Sequence, residues 1–192
     1  MFNILVDHIT ERLKQHHSLY NAKCKAELWE ELLSKALIDA GHGSDWQPDY
    51  NHKVGVDQVT DSGIKISNKS GALLCNGTKI DISGSRLTSH CSLEDKLEFL
   101  SNKTEDYVFC LATDKKDQKL YNSPVYYFIV INSDKLDYKN AEWTTNYDNS
   151  NAIKSYTGIG QGYVAKITRS MSDQIWTKVD SSLLEEKYKM VI

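Results

Sequence analysis

A mixed α/β fold, with a central mixed β-sheet flanked by helices, is predicted by three observations. The opening forty residues carry apolar side chains at helical spacing. Three short stretches with strand alternation follow, and then a second helical block. Beyond that block lie two continuous β-rich runs, Asp106 to Ala112 (DYVFCLA) and Val125 to Ile131 (VYYFIVI).

The elements follow in order. Residues 3–19 and 22–41 read as helices. In the second, Ala26, Trp29, Leu32, Leu33, Ala36, Leu37 and Ala40 share one face at about 100° per residue, and Glu30 borders that face beside Leu37. Gly41 and Gly43 end it, and a loop of turn residues runs to Tyr50. Strands are expected at 52–57, 63–69 and 78–83, separated by the turn signals Thr60-Asp61-Ser62-Gly63 and Asn76-Gly77. A helix begins at Ser92, whose Ser-Leu-Glu-Asp sequence has the character of an N-terminal cap. The two β-rich runs read as buried strands joined by the charged loop TDKKDQKLYNSP. The Asn-, Tyr- and Gly-rich stretch 132–168 reads as loops and irregular strands laid over the core. Ile175 and Trp176 stand at helical spacing from Met171 and Ser172 and are expected in the core.

The chain has 192 residues and a formal net charge of −3. That length suits a single domain, 1–192, able to bury a core without disulfides. Cys24, Cys75, Cys91 and Cys110 are scattered without zinc-ligand spacing and read as reduced thiols. The start, MFNILVDHITERLKQHH, becomes charged too early for a secretory signal, and no apolar run reaches the roughly 18 to 20 residues of a membrane helix. A cytoplasmic location without membrane attachment is therefore expected. The net charge argues against a nucleic-acid partner, but DNA binding depends on local charge. Lys65, Lys69, Lys79 and Arg86 fall among the three strands, and Lys154, Lys166, Arg169 and Lys178 near the end. Acidic residues gather around 27–31, 94–98, 113–118 and 180–186. The distribution suits one basic face and equally a mixed solvated surface.

The chemistry lies in the three strands. Alternation puts Val54 and Val56 on one face and frees Asp57 for the other; Ile64 and Ile66 likewise oppose Lys65, Ser67 and Lys69. Ser67 and Lys69 therefore stand beside Asp57 across a hairpin. A carboxylate holding a divalent ion, beside a lysine that orients or deprotonates water, suits phosphodiester hydrolysis, and oxygen ligands point to magnesium. The spacing is equally compatible with the solvent face of an ordinary hairpin.

With Asp57 followed by Ser67-Asn68-Lys69, this segment resembles the catalytic core of type II restriction endonucleases of the PD-(D/E)xK superfamily. Their pattern is an acid at a strand end, then about ten to thirty residues, then acid-x-lysine. Two further blocks are similar to one restriction-enzyme subgroup: Ile82-Ser83-Gly84-Ser85-Arg86-Leu87-Thr88 with the helix from Ser92, and Ser170-Met171-Ser172-Asp173-Gln174-Ile175-Trp176. The resemblance covers residues 22–112, the catalytic core, well and the last third more loosely. It departs from the pattern in having Ser67 where the second acid is expected and Val56 where a proline is. The resemblance implies a restriction-endonuclease-like core and a magnesium site formed by Asp57 and the main-chain carbonyl of Asn68. Glu27, Glu30 and Glu31 lie on the preceding helix, where the superfamily often has a metal-binding glutamate; Glu30 is the choice, with a solvated helix face as the alternative.

The resemblance also implies double-stranded DNA as substrate, a homodimer on a palindromic site, and a companion DNA methyltransferase. Recognition elements are expected within 132–180, where Asn149, Asn151 and Gln161 suit adenine edges and Arg169 guanine or phosphate. Ser83, Ser85, Arg86 and Thr88 suit phosphate contact, and His52 a phosphate or metal-bound water; each is also an ordinary surface residue type. Gly158-Ile-Gly160-Gln161-Gly162 lacks the following Lys-Ser or Lys-Thr of a nucleotide loop. Two other readings remain: a structure-specific repair or resolving nuclease on the same core, and a non-catalytic binding or immunity-type protein.

Overall fold

Strand alternation and helical spacing sort the apolar side chains onto two faces of one sheet. The computed structural model describes residues 2–24, 26–47, 55–114, 116–117, 123–169 and 173–192, with Glu27 as backbone only. Helix α1 (Phe2–Leu19) buries Leu5, Ile9 and Leu13, spaced one turn apart. Helix α2 (Ala26–Asp39) buries Trp29, Leu32, Leu33, Ala36 and Leu37. It starts at Ala26 and not at 22, because the preceding residues are pinned in a bend. His16 Nε2 meets Ala22 O at 2.8 Å, and the Cys24 amide donates to the Tyr126 hydroxyl at 3.0 Å.

The strands are β1 (Gln58–Val59), β2 (Lys65–Leu74), β3 (Lys79–Arg86), β4 (Tyr107–Thr113), β5 (Val125–Asn132), β6 (Glu142–Tyr147), β7 (Ile153–Gly160), β8 (Tyr163–Thr168), β9 (Gln174–Asp180) and β10 (Leu184–Val191). Helix α3 (Leu93–Ser101) lies between β3 and β4. They form one mixed sheet in the order β10-β5-β4-β2-β3-β9-β8-β7-β6, with β1 paired to β2. Strands β2 and β4 run parallel, with Ser67 opposite Val108 and Lys69 opposite Cys110. Among the described residues the element order from α2 to β4 is helix, three strands, helix, strand, with the two-residue β1 at 58–59 as the first strand in place of the expected 52–57.

Helices α1 and α2 cover the face carrying Ile66, Phe109, Leu111, Tyr126, Phe128, Val130 and Met190. The other face carries Ile80, Ile82, Val108, Cys110 and Ile129, with Leu93, Leu97 and Leu100 of α3 packed on it. The Ser92 hydroxyl accepts from the Asp95 amide while the Asp95 carboxylate accepts from the Ser92 amide, closing a capping box at the start of α3. Among the described residues, no helix is long and apolar enough to cross a membrane.

Three expectations are corrected. Stretch 132–168 is mainly regular strand: β6, β7 and β8 form an antiparallel meander that continues the sheet. Its alternation is masked because apolar Ile159 and Val164 stand exposed on the uncovered face and because glycines stand where rings lie. A Cβ at Gly158 would sit 2.6 Å from the Trp143 ring. Residues 174–176 belong to strand β9 and not to a helix. Ile175, Thr177 and Val179 are buried, while Trp176 is 43% exposed and so is not a core residue. Of the expected strand 52–57, residues 52–54 lie outside the described residues, and Gly55 to Asp57 form a bend leading into β1.

Strands β5 and β10 pair antiparallel, with Leu184 opposite Ile131. Between them, segment 133–183 runs to the far edge of the sheet and back. Lys135 meets Glu185 at 2.8 Å where it leaves and returns.

Candidate active site

Asp57 is held at the end of β2 from both sides in sequence. Its amide donates to Ile66 O at 2.9 Å. Two residues earlier Gly55 has φ +82°, and a Cβ there would lie 2.9 Å from Glu105 Oε2, so backbone conformation and space both require glycine. Because Ile66 is committed to the α1/α2 core, alternation turns Ser67 and Lys69 to the opposite face, beside Asp57.

The three predicted residues meet there. Asp57 Oδ2 accepts from the Asn68 amide at 2.6 Å, Ser67 Oγ at 3.3 Å and Lys69 Nζ at 3.4 Å. Lys69 Nζ also donates to the Asn68 carbonyl at 3.0 Å, so the proposed metal-ligating carbonyl here holds the ammonium. The Asp57 and Lys69 side chains are each 18% exposed, enough for a small ligand to reach both. Ser67 is fully buried. The Asn68 side chain points to the helix-covered face, where Nδ2 and Oδ1 are buried without a hydrogen-bond partner among the described residues.

Two further charged groups join the site that sequence reasoning missed. Lys103 and Glu105 lie in the link from α3 to β4, and the parallel β2–β4 pairing carries that link to the Asp57 end of β2. Lys103 Nζ donates to Ser85 Oγ at 3.0 Å and lies 3.9 Å from Glu105 Oε1. Burial pulls the Lys103 ammonium down to about 8, and the nearby Lys69 charge adds to this; Glu105 and Asp57 oppose it. Lys69, Lys103 and Glu105 line a cavity of about 350 Å³ together with Ser83, Asp137 and Tyr138. Tyr138 donates to or accepts from Thr177 Oγ1 at 3.0 Å, and burial pushes its hydroxyl up to about 12. The available sequence signal was Asn102-Lys-Thr-Glu-Asp, a polar run between a helix and a buried strand.

The remaining candidates are distributed unevenly. Ser83 Oγ donates to Ser70 O at 3.0 Å, so its hydroxyl ties β3 to β2. Ser85 receives Lys103, whereas Arg86 and Thr88 are exposed at the same sheet end. The turn holding Asn149 and Asn151 also lies at that end, five strands away from β2 or roughly 24 Å at ~4.8 Å per strand. Arg169 is half-exposed at 41%; its Nε lies 3.6 Å from Asp173, which also meets the fully buried Lys96 at 3.4 Å. Gln161 sits in the β7–β8 turn at the opposite end of the sheet, and the fold does not bring it to the others. Glu30 lies on α2, on the sheet face opposite Ser67 and Lys69, and its carbonyl accepts from Gln58 Nε2 at 2.9 Å. Glu31 pairs with Lys35 at 2.5 Å. His52 and Ser170 to Ser172 lie outside the described residues.

Cys75, Cys91 and Cys110 are free thiols, and burial pushes Cys24 and Cys110 up to about 12. Among the described residues, no three His, Cys, Asp or Glu side chains converge as a metal-binding group. No family model and no curated protein matches this chain.

Proposed function

We propose that the chain is a type II restriction endonuclease of the PD-(D/E)xK superfamily, cutting both strands of DNA at a short specific site with magnesium. The observation that carries this reading is the meeting of Asp57, Ser67 and Lys69, of which Lys69 also lines a charged cavity. The helix, three-strand, helix, strand order around it supports a restriction-endonuclease-like core.

The donors at the site fit magnesium in kind. They are oxygens: the Asp57 carboxylate and, once Lys69 turns away, the Asn68 carbonyl. Bound there, magnesium supplies Lewis-acid polarisation of a phosphoryl oxygen. The chain's own groups do the rest. Ser67 and the Asn68 amide fix the carboxylate orientation by donating to Oδ2. Lys69 orients the attacking water and places positive charge beside the phosphate as its oxygens gain charge. Lys103 adds a second ammonium on the same wall. Arg86 and Thr88 contact the backbone of the duplex from the exposed sheet end.

A homodimer on a palindromic site, a cytoplasmic location and a companion methyltransferase belong to this proposal. One observation favours a non-catalytic binding protein instead: Ser67 stands where an acid is expected. One experiment separates the two. The protein is incubated with unmethylated phage DNA and magnesium beside Asp57→Ala. Discrete fragments that disappear in the variant support the endonuclease; intact DNA, or equal cutting by the variant, rejects it. Fragments that follow DNA structure and not sequence indicate a repair or resolving nuclease.

A further inference from the structure

We infer that Glu105 supplies a second carboxylate, with Asp57, to a divalent-cation site. The inference rests on the nuclease reading for the identity of the cation, magnesium or manganese, and adds a ligand that lies outside the Asp-Ser-Lys motif.

Among the described residues, Glu105 Oε2 is buried without a hydrogen-bond partner, and the side chain is only 6% exposed. A carboxylate taken out of water needs its oxygens filled, because low-dielectric surroundings amplify an unpaired charge. The nearest cation does not fill this one: Lys103 Nζ lies 3.9 Å from the other oxygen, Oε1, and donates instead to Ser85 at 3.0 Å. The rest of Glu105 is firmly placed. Its carbonyl accepts from the Ser133 hydroxyl, the neighbouring Asp106 carboxylate accepts from the Lys65 amide at 2.8 Å, and the Asp106 amide donates to the Lys65 carbonyl at 2.9 Å. A held backbone fixes where this carboxylate must find its partner, and an anionic oxygen calls for a cation or a donor.

Position supplies the second half. Oε2 lies against Gly55, two residues before Asp57, where any side chain would cover it. The missing Cβ lets the buried Glu105 carboxylate approach the stretch of chain that carries Asp57. Glu105 also lines the cavity that Lys69 lines. Ser67 cannot offer a charge, and its hydroxyl is engaged by Asp57. The other carboxylates of the cavity wall are differently placed: Asp137 is held by the Asn140 amide and side chain at 3.2 and 2.6 Å, and Asp134 is exposed. As it stands, the site balances two carboxylates, Asp57 and Glu105, with two ammoniums, Lys69 and Lys103. A divalent cation tips that balance positive, which is the sign a phosphodiester requires.

The test is manganese binding to the metal-free protein, by calorimetry and by the loss of the free-ion electron-spin signal. Glu105→Gln and Asp57→Asn each weaken binding by about tenfold or more, while Asp134→Asn leaves it unchanged. Glu105→Asp, which keeps the charge but withdraws it by one methylene, also weakens binding and guards against a folding defect in the amide variant. Wild-type affinity in Glu105→Gln, or no binding by the wild type at millimolar manganese, overturns the inference. The two proposals separate cleanly. Binding that needs both carboxylates in a protein that does not cut DNA keeps the site and removes the nuclease; cutting with Glu105-independent binding does the reverse.

Discussion

Raising the pH should stabilise this protein through one side chain, Lys103. The ordinary lysine value is 10.5, and burial brings Lys103 to about 8 in the fold. Below about 8 the ammonium is charged in both folded and unfolded chains, and the folded state carries the full burden of burying it. Between 8 and 10.5 the unfolded chain keeps the proton that the folded chain has released, so stability rises with pH. Above 10.5 the burden is gone. The drop from 10.5 to about 8 corresponds to ~3 kcal/mol at ~1.4 kcal/mol per pH unit, of which roughly 2.5 kcal/mol is recovered between pH 7 and pH 10. Urea unfolding of the metal-free protein, compared with Lys103→Met at both pH values, isolates this contribution because the other titrations are common to both. With a slope of about 2 kcal/mol per molar urea, the wild-type midpoint gains roughly 1 M relative to the variant. A difference between the two proteins that stays constant from pH 7 to pH 10 refutes the burial argument.

Three other outcomes are expected. Ser92→Ala opens the capping box of α3 and lowers stability by about 1 kcal/mol, measured by thermal unfolding; Ser92→Asp restores it. Lys96→Met removes a fully buried cation from Asp173 and costs about 3 kcal/mol in urea unfolding, because the carboxylate stays behind, with Arg169 at 3.6 Å. On the nuclease reading, Arg86→Ala weakens DNA binding evenly across sequences and reduces the slope of log affinity against log salt by about 1 in filter-binding or anisotropy titrations.

What the sequence disclosed was local. Asp57, Ser67 and Lys69 were legible together because they lie within a hairpin-sized stretch, where a period of two decides which side chains share a face. The cap at Ser92 and the turn at Asn76-Gly77 were legible for the same reason: each is a contract among neighbouring residues. Lys103 and Glu105 were not, since they reach Asp57 only through the parallel pairing of β2 with β4, a long-range choice that no local pattern encodes. The meander β6 to β8 hid its strands behind exposed apolar residues, Ile159 and Val164, and glycines that admit aromatic rings. Gln161 and Arg169 looked alike as polar residues of one region, yet the strand between them separates the two ends of the sheet.

The excursion 133–183 departs from β5 and returns to its pairing partner β10, clasped by Lys135 and Glu185. A loop closed in this way behaves as a cassette: its strands can be exchanged as a block without re-threading β2, β4 or β5. Asp57, Lys69, Lys103 and Glu105 all lie outside the cassette, while Asp137 and Tyr138, on the cavity wall, lie inside it. Replacing the block therefore changes the contour of the cavity together with the distant turn residues. On the nuclease reading, specificity and substrate fit are inherited as one unit, and a graft at residues 133 and 183 is the natural place to cut and splice.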